Sequence, residues 1–224
     1  MTSKKRNKAK PIRLICLTIL PVILIVLAGA YFVGEYGLPF GSQLGNNQRR
    51  AEAIDAQAKW AERIELPGLP NFHKVSDDLY RGAQPTAEGM RQLEKIGIKT
   101  VVNLRSSHSD RDEIKGTALA YEHINMTTWG KPESEDVLRF LQIVSNSNSS
   151  PVFVHCQHGA DRTGTMCAIY RIIIQGWSKD EAVEEMTKGG FGFHTIWQNL
   201  PDYVRKLDVE EIKRNVGLDI LQTH

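Results

Sequence analysis

The chain has 224 residues, 41% of them apolar, and a formal charge of +2, which allows one substantial core and is too little for two full catalytic domains beside a membrane segment. Lys4, Lys5, Arg6, Lys8, Lys10 and Arg13 hold six of the 28 basic residues, so the remainder sets 22 basic against 26 acidic residues, a charge of about −4. A mildly acidic body lacks the electrostatic footprint of a nucleic-acid binder, and the three cysteines, Cys16, Cys156 and Cys167, make neither a disulfide framework nor, for want of suitably spaced histidines, a metal site.

Residues 1–13 form a basic tail. Residues 14–33 are an uncharged apolar run, and twenty residues at helical rise match the ~30 Å hydrocarbon core of a bilayer. The basic flank before the run and Glu35 after it predict a single-pass anchor with a cytoplasmic N-terminus. The rest of the chain then lies outside the cytoplasm, in the periplasm of a Gram-negative cell. Ala28-Gly29-Ala30 offers a second outcome, a cleaved signal peptide, which exports the domain equally.

Residues 34–70 read as a linker with a spacer helix over 49–66, striped by Ala53, Ile54, Trp60, Ala61 and Ile64 and stopped by Pro67-Gly68-Leu69-Pro70. The globular part spans 71–208, with a C-terminal helix or tail over 209–224. A short hairpin over 72–81 precedes a helix that Thr86 caps and Gly97 ends. Residues 98–104 read as a strand, 110–119 as a helix, 121–126 as a strand and 132–144 as a helix with Val137, Leu138, Phe140, Leu141 and Val144 on one face. A strand over 151–155 leads into a polar loop and a helix from Arg162 that is apolar nearly all round. Ser178 and Glu181 form a capping box for the next helix, Gly189-Gly190 ends it, and 195–207 is helical apart from Pro201. The order implies an α/β domain, a central, mainly parallel sheet flanked by helices, with the polar loop at the C-terminal edge of a central strand.

That loop, His155-Cys156-Gln157-His158-Gly159-Ala160-Asp161-Arg162-Thr163-Gly164, reads as a phosphate cradle with its own nucleophile. Gly159 lets the backbone curl so that successive N–H groups face one anion. The N-terminus of the following helix adds to the same field, which also favours a thiolate at Cys156.

The stretch resembles the signature of the cysteine-dependent phosphatases, the tyrosine and dual-specificity superfamily, over roughly residues 72–207. The resemblance implies a dual-specificity-type phosphatase domain without metal or cofactor. Cys156 would form a cysteinyl phosphate, Arg162 would clamp two phosphoryl oxygens, and Thr163 would hydrogen-bond the departing thiolate. Gln157, His158, Gly159, Ala160 and Gly164 would line the phosphate, and His155 would order the loop. Arg105, at a strand's C-terminal end, is expected to contact substrate or brace the acid loop, or else to form a surface ion pair.

The superfamily takes its general acid from an aspartate just past the preceding strand, where this chain has Thr127 and Thr128. Loops ending Asp-Arg-Thr resemble those of myotubularin and Sac-type lipid phosphatases and of some secreted bacterial tyrosine phosphatases, in which that aspartate is assigned or proposed as the acid. Asp161 is therefore the first candidate, with Glu133, Glu135 and Asp136 as alternatives, and a purely structural role for Asp161 as the bland reading. Trp129 is a candidate pocket wall, while Trp197 and Phe191 read as core. Cys167 reads as a small core residue, with a redox partner for Cys156 as the second reading. The substrate is a phosphorylated protein, lipid or small molecule. The alternatives are a lipid, sugar or inositol phosphate phosphatase of the same mechanism and a membrane-tethered phosphate-binding module without turnover; Arg162-Thr163-Gly164 counts against a rhodanese-type sulfurtransferase. The oligomeric state is not assigned.

Overall fold

The computed structural model describes residues 60–127 and 130–218. The basic tail, the apolar run over 14–33, most of the linker, Thr128, Trp129 and residues 219–224 lie outside them. Among the described residues no helix is long and apolar enough to cross a membrane.

Six strands form one sheet: β1 (Glu62–Arg63), β2 (His73–Lys74), β3 (Leu79–Gly82), β4 (Thr100–Asn103), β5 (Ala120–His123) and β6 (Val152–His155). Their order is β1-β2-β3-β6-β4-β5. The pairings of β3 with β6, β6 with β4 and β4 with β5 are parallel, whereas β1, β2 and β3 pair antiparallel. The sheet is thus mixed, because the short chain reversals before β3 permit only antiparallel neighbours. β6 sits inside the sheet and is buried along its whole length.

Alternation along the strands splits the core in two. Val102, Val152 and Val154 face one side, where they meet α2 (Ser134–Val144), α3 (Asp161–Ile173), α4 (Lys179–Lys188) and α5 (Asn199–Arg205). Val101 and Phe153 face the other, against Leu69, Phe72 and the Met90 and Leu93 of α1 (Ala87–Lys95). Helix α6 (Val209–Val216) covers the first side through the half-buried Val209, Ile212 and Val216. Eleven of the thirteen residues of α3 are buried, as its sequence implies. The buried Arg171 on α3 forks onto Glu185 of α4 at 2.8 and 2.6 Å. Glu185 also accepts from the Ala61 amide at 2.7 Å, which ties the start of the described chain to both helices.

Several sequence expectations change. Residues 60–66 are not helical; they include β1 and pack on the core, so the spacer helix over 49–66 does not reach them. Residues 110–119 are a run of turns rather than a helix. Gly116, at φ +82°, breaks any helical continuation there. The 195–207 segment is helical only over α5, and Pro201 lies within that helix's first turn, where a missing N–H costs nothing. The Thr86 cap and the Ser178–Glu181 capping box form as expected.

Candidate active site

Register sets the site. His155 of β6 stands between Gly82 of β3 and Asn103 of β4, so the chains leaving three parallel strands converge at one sheet edge. β6 delivers Cys156, β4 delivers Leu104 and Arg105, and β3 delivers Ala83 and Gln84. Cys156 is 3% exposed and opens onto a cleft of about 340 Å³. Gln157, His158, Asp161 and Arg162 line the cleft beside it, with Arg105, Ser106 and Ser107 from the β4 loop, Gly130, His194, Ile196 and Trp197 from the segment that leads into α5, and Leu200 from α5 itself.

The loop is pinned from behind by two residues that no motif or spacing marks. Asn71 Nδ2 donates to the His158 carbonyl at 2.9 Å, and Arg81 Nη2 donates to the Gly159 carbonyl at 2.8 Å. Arg81 is fully buried, its guanidinium 3.7 Å from the centroid of Phe191. With those carbonyls held by the protein, none of the amides from 157 to 162 donates to a protein group among the described residues. Six adjacent unspent donors at a helix N-terminus form an anion nest. Gly159 has φ +70°, and a Cβ there would lie 2.4 to 2.6 Å from the backbone of Gly82 and Ala83; Ala160 is buried beneath the loop and does not line the cleft. Arg162 sits at the nest with Nη1 donating to the Leu104 carbonyl at 3.2 Å. Thr163 is buried, and its Oγ1 has no hydrogen-bond partner among the described residues. Gly164 is buried within α3 and does not line the cleft.

A buried network supports the nucleophile. His155 Nε2 lies 2.7 Å from Asp110 Oδ2, both side chains fully buried, and His155 Nδ1 lies 3.4 Å from the Cys156 carbonyl. Asp110 Oδ1 accepts from Gln84 Nε2 at 2.8 Å, and Gln84 Oε1 accepts from Arg105 Nη1 at 2.8 Å. The chain of contacts runs from the cleft-lining Arg105 to the residue before the nucleophile. Arg105 therefore bonds the half-buried Gln84 and forms no ion pair with another described residue. Burial alone would raise the Asp110 carboxyl, but the His155 hydrogen bond and charge, with Gln84 and His108, hold it below the ordinary aspartate range.

The sign of that shift fixes a pH dependence: a depressed carboxyl stabilises the fold above its unfolded value of about 3.9, and the contribution fades as pH falls through the lower folded value. Asp110→Asn is expected to cost about 1–3 kcal/mol at neutral pH, the scale of a charged buried hydrogen bond. Thermal melts from pH 7 to pH 3 should show the gap to the wild type closing below about pH 4; a gap of constant size would show that Asp110 acts without its charge.

His108, Asp110 and Glu113 place potential metal-ligand atoms within 4.8 Å of one another. Both Asp110 oxygens are already committed to His155 and Gln84, so the cluster serves the network. Glu133, Glu135 and Asp136 do not line the cleft. Glu133 is the N-cap of α2, Glu135 lies in its first turn, and Asp136 Oδ2 accepts from the Glu133 amide at 3.3 Å. Burial, with Glu133 and Glu135 nearby, raises the Asp136 carboxyl. Asp161 borders the cleft, and both its oxygens are taken by His194: Oδ1 by the backbone N–H at 2.9 Å and Oδ2 by ring Nδ1 at 2.8 Å. Trp197 is half-buried, packing against the core and lining the cleft as well, whereas Phe191 is buried as expected. Cys167 is a buried free thiol on α3, pushed up to about 11 by burial.

Comparison with known proteins matches this architecture. The family model for the "DSP-PTPase phosphatase fused to NAD+ Kinase" matches residues 67–200. The dual specificity protein phosphatase TpbA of Pseudomonas aeruginosa is 34% identical over 173 residues, covering 76% of this chain and 77% of TpbA. A crystal structure of TpbA in complex with pTyr superposes with a TM-score of 0.63 at 32% identity, over 71% of this chain and 96% of that one. The core catalytic domain of the PP-IP phosphatase SIW14 from S. cerevisiae, at 23% identity and a TM-score of 0.61 over 70% of this chain and 98% of its own, shares the fold. Matching over most of both chains, with nucleophile, arginine and nest in place, the chain belongs to the dual-specificity type of cysteine-dependent protein tyrosine phosphatases.

Proposed function

We propose that this phosphatase hydrolyses phosphotyrosine-like aryl phosphates outside the cytoplasm, tethered by residues 14–33. The observation that carries the substrate class is an apolar wall of the cleft: Ile196, 76% exposed, lines it with Trp197 and Leu200, in the same cleft as Cys156. An exposed isoleucine beside a tryptophan offers an aromatic ring the burial that a sugar or inositol leaving group does not need. The only arginines or lysines lining the cleft among the described residues are Arg105 and Arg162, a small fixed positive charge for a polyphosphorylated substrate. The pTyr complex of TpbA supports the same choice.

In the first step the Cys156 thiolate attacks phosphorus while the bond to the leaving oxygen breaks, and Arg162 with the loop amides holds the equatorial oxygens. Water then attacks the phosphocysteine, the sulfur–phosphorus bond breaks, and the Thr163 hydroxyl donates to the leaving thiolate. His155, anchored on Asp110, orders the loop, and Arg105 contacts the substrate beside it. No step calls for a metal or cofactor. The test uses the full chain in expressing cells. Hydrolysis of a phosphotyrosyl peptide is expected in the detergent-extracted membrane fraction, with a kcat/KM at least about tenfold above that for phosphoseryl peptide or inositol phosphates, the step worth about 1.4 kcal/mol of binding to the apolar wall. Equal or better turnover of an inositol phosphate would refute the substrate class, and activity confined to the cytosol would refute the tether.

A further inference from the structure

The leaving oxygen of an aryl or alkyl phosphate needs a proton, and the position where this superfamily keeps its acid holds Thr127 and Thr128. Asp161 is the nearest loop carboxylate, yet its two oxygens are spent as acceptors on one residue. His194 donates to it twice, from its own backbone N–H at 2.9 Å and from ring Nδ1 at 2.8 Å. A carboxylate only accepts, so Nδ1 carries the hydrogen, and the two contacts fix both the position and the rotation of the imidazole. Nε2 has no partner among the described residues, and the side chain is 47% exposed where it lines the cleft. Its ring lies edge-on to His158, 5.4 Å between centroids, on the loop that begins at Cys156. An aspartate that orients the imidazole of a residue lining a reaction cleft, with the far nitrogen left without a partner among the described residues, is the arrangement that acid–base catalysis uses elsewhere.

We propose that His194 is the proton donor to the leaving oxygen, and that Asp161 is its positioning residue. The inference rests on the phosphatase reading above and assigns the missing acid within it. In the first step the Cys156 sulfur bonds to phosphorus, the P–O bond to the leaving group breaks, and that oxygen takes the proton from His194 Nε2. In the second, His194 takes a proton from the attacking water as the S–P bond breaks, which returns thiolate and imidazolium to their starting states. Asp161 exchanges no proton with substrate in either step.

The dependence on leaving group separates the roles, because an acid matters only when the leaving oxygen is basic. The full chain and its His194→Gln, Asp161→Asn and doubly substituted forms are compared by kcat/KM on phenyl phosphate and on 2,4-dinitrophenyl phosphate. His194→Gln is expected to lose about 100-fold more on phenyl phosphate than on the dinitrophenyl ester, the scale of one general acid. Asp161→Asn is expected to show the same preference in weaker form, and the double variant to lose little beyond His194→Gln, since the two act as one unit. Added imidazole should restore part of the phenyl phosphate rate in His194→Ala. A leaving-group preference in Asp161→Asn but not in His194→Gln would assign the proton to Asp161 and overturn the proposal, as would equal losses on both esters in His194→Gln. A wild type that releases phosphate from neither ester would instead remove the phosphatase reading beneath it.

Discussion

Cys156→Ser is expected to abolish turnover of every phosphate ester, a loss on the order of 10⁵-fold or more, the scale seen when a covalent nucleophile is removed. The serine hydroxyl is a far weaker acid than a thiol, and the nest that favours a thiolate does too little to ionise it. The six loop amides that donate to no protein group among the described residues, and Arg162, are untouched by the substitution, so phosphate affinity should stay within a few-fold. Calorimetric titration with a phosphotyrosyl peptide, beside a rate assay in the presence of EDTA, separates the two properties. Retention of more than a hundredth of the activity would place the nucleophile elsewhere. Rapid acid quench of the wild type should trap phosphate on Cys156 and on no other residue.

The second large effect belongs to a residue without a side chain. Gly159→Ala combines a left-handed backbone with a Cβ 2.4 to 2.6 Å from the Gly82 and Ala83 backbone, and that backbone cannot move without shifting β3. The cost is about 2–5 kcal/mol, from backbone conformation and overpacking together, a fall in Tm of roughly 5–15 °C for a domain of this size. Activity should fall further than stability, because the loop can relieve the clash only by turning its amides out of the nest; a loss of about 100-fold or more matches the removal of one or more oxyanion donors. Melting curves and kcat/KM measured on the same preparation test both. A variant with wild-type melting and activity would mean that the loop has a second conformation with the same donor geometry.

Most of what local spacing controls was legible in the residues. Cys156, Gly159, Arg162 and the buried α3 form one contiguous stretch, and the Thr86 cap and the Ser178–Glu181 box depend on neighbours three residues apart. Where the reading failed, a distant partner decides the outcome. Residues 110–119 have the composition of a helix, yet Asp110 is drawn into the core by His155, 45 positions along the chain. No local spacing marks Arg81, which is fully buried with Nη2 on the Gly159 carbonyl and its guanidinium against the Phe191 ring, while its Nε has no hydrogen-bond partner among the described residues. His194 follows a Gly-rich turn with no motif around it, and only the fold brings it to Asp161, 33 positions away. Trp197 reads as core by its size alone, but a tryptophan at a cleft wall is buried on one side only.

Cys167 gives the phosphatase a weakness of its own. With its thiol pushed up to about 11, roughly one molecule in ten thousand carries the thiolate at pH 7, and only the thiolate attacks a sulfenic acid. If peroxide oxidises Cys156, burial slows this α3 thiol as a repair partner, and small thiols or a reductase arriving through the cleft become the faster route by which each molecule returns to work.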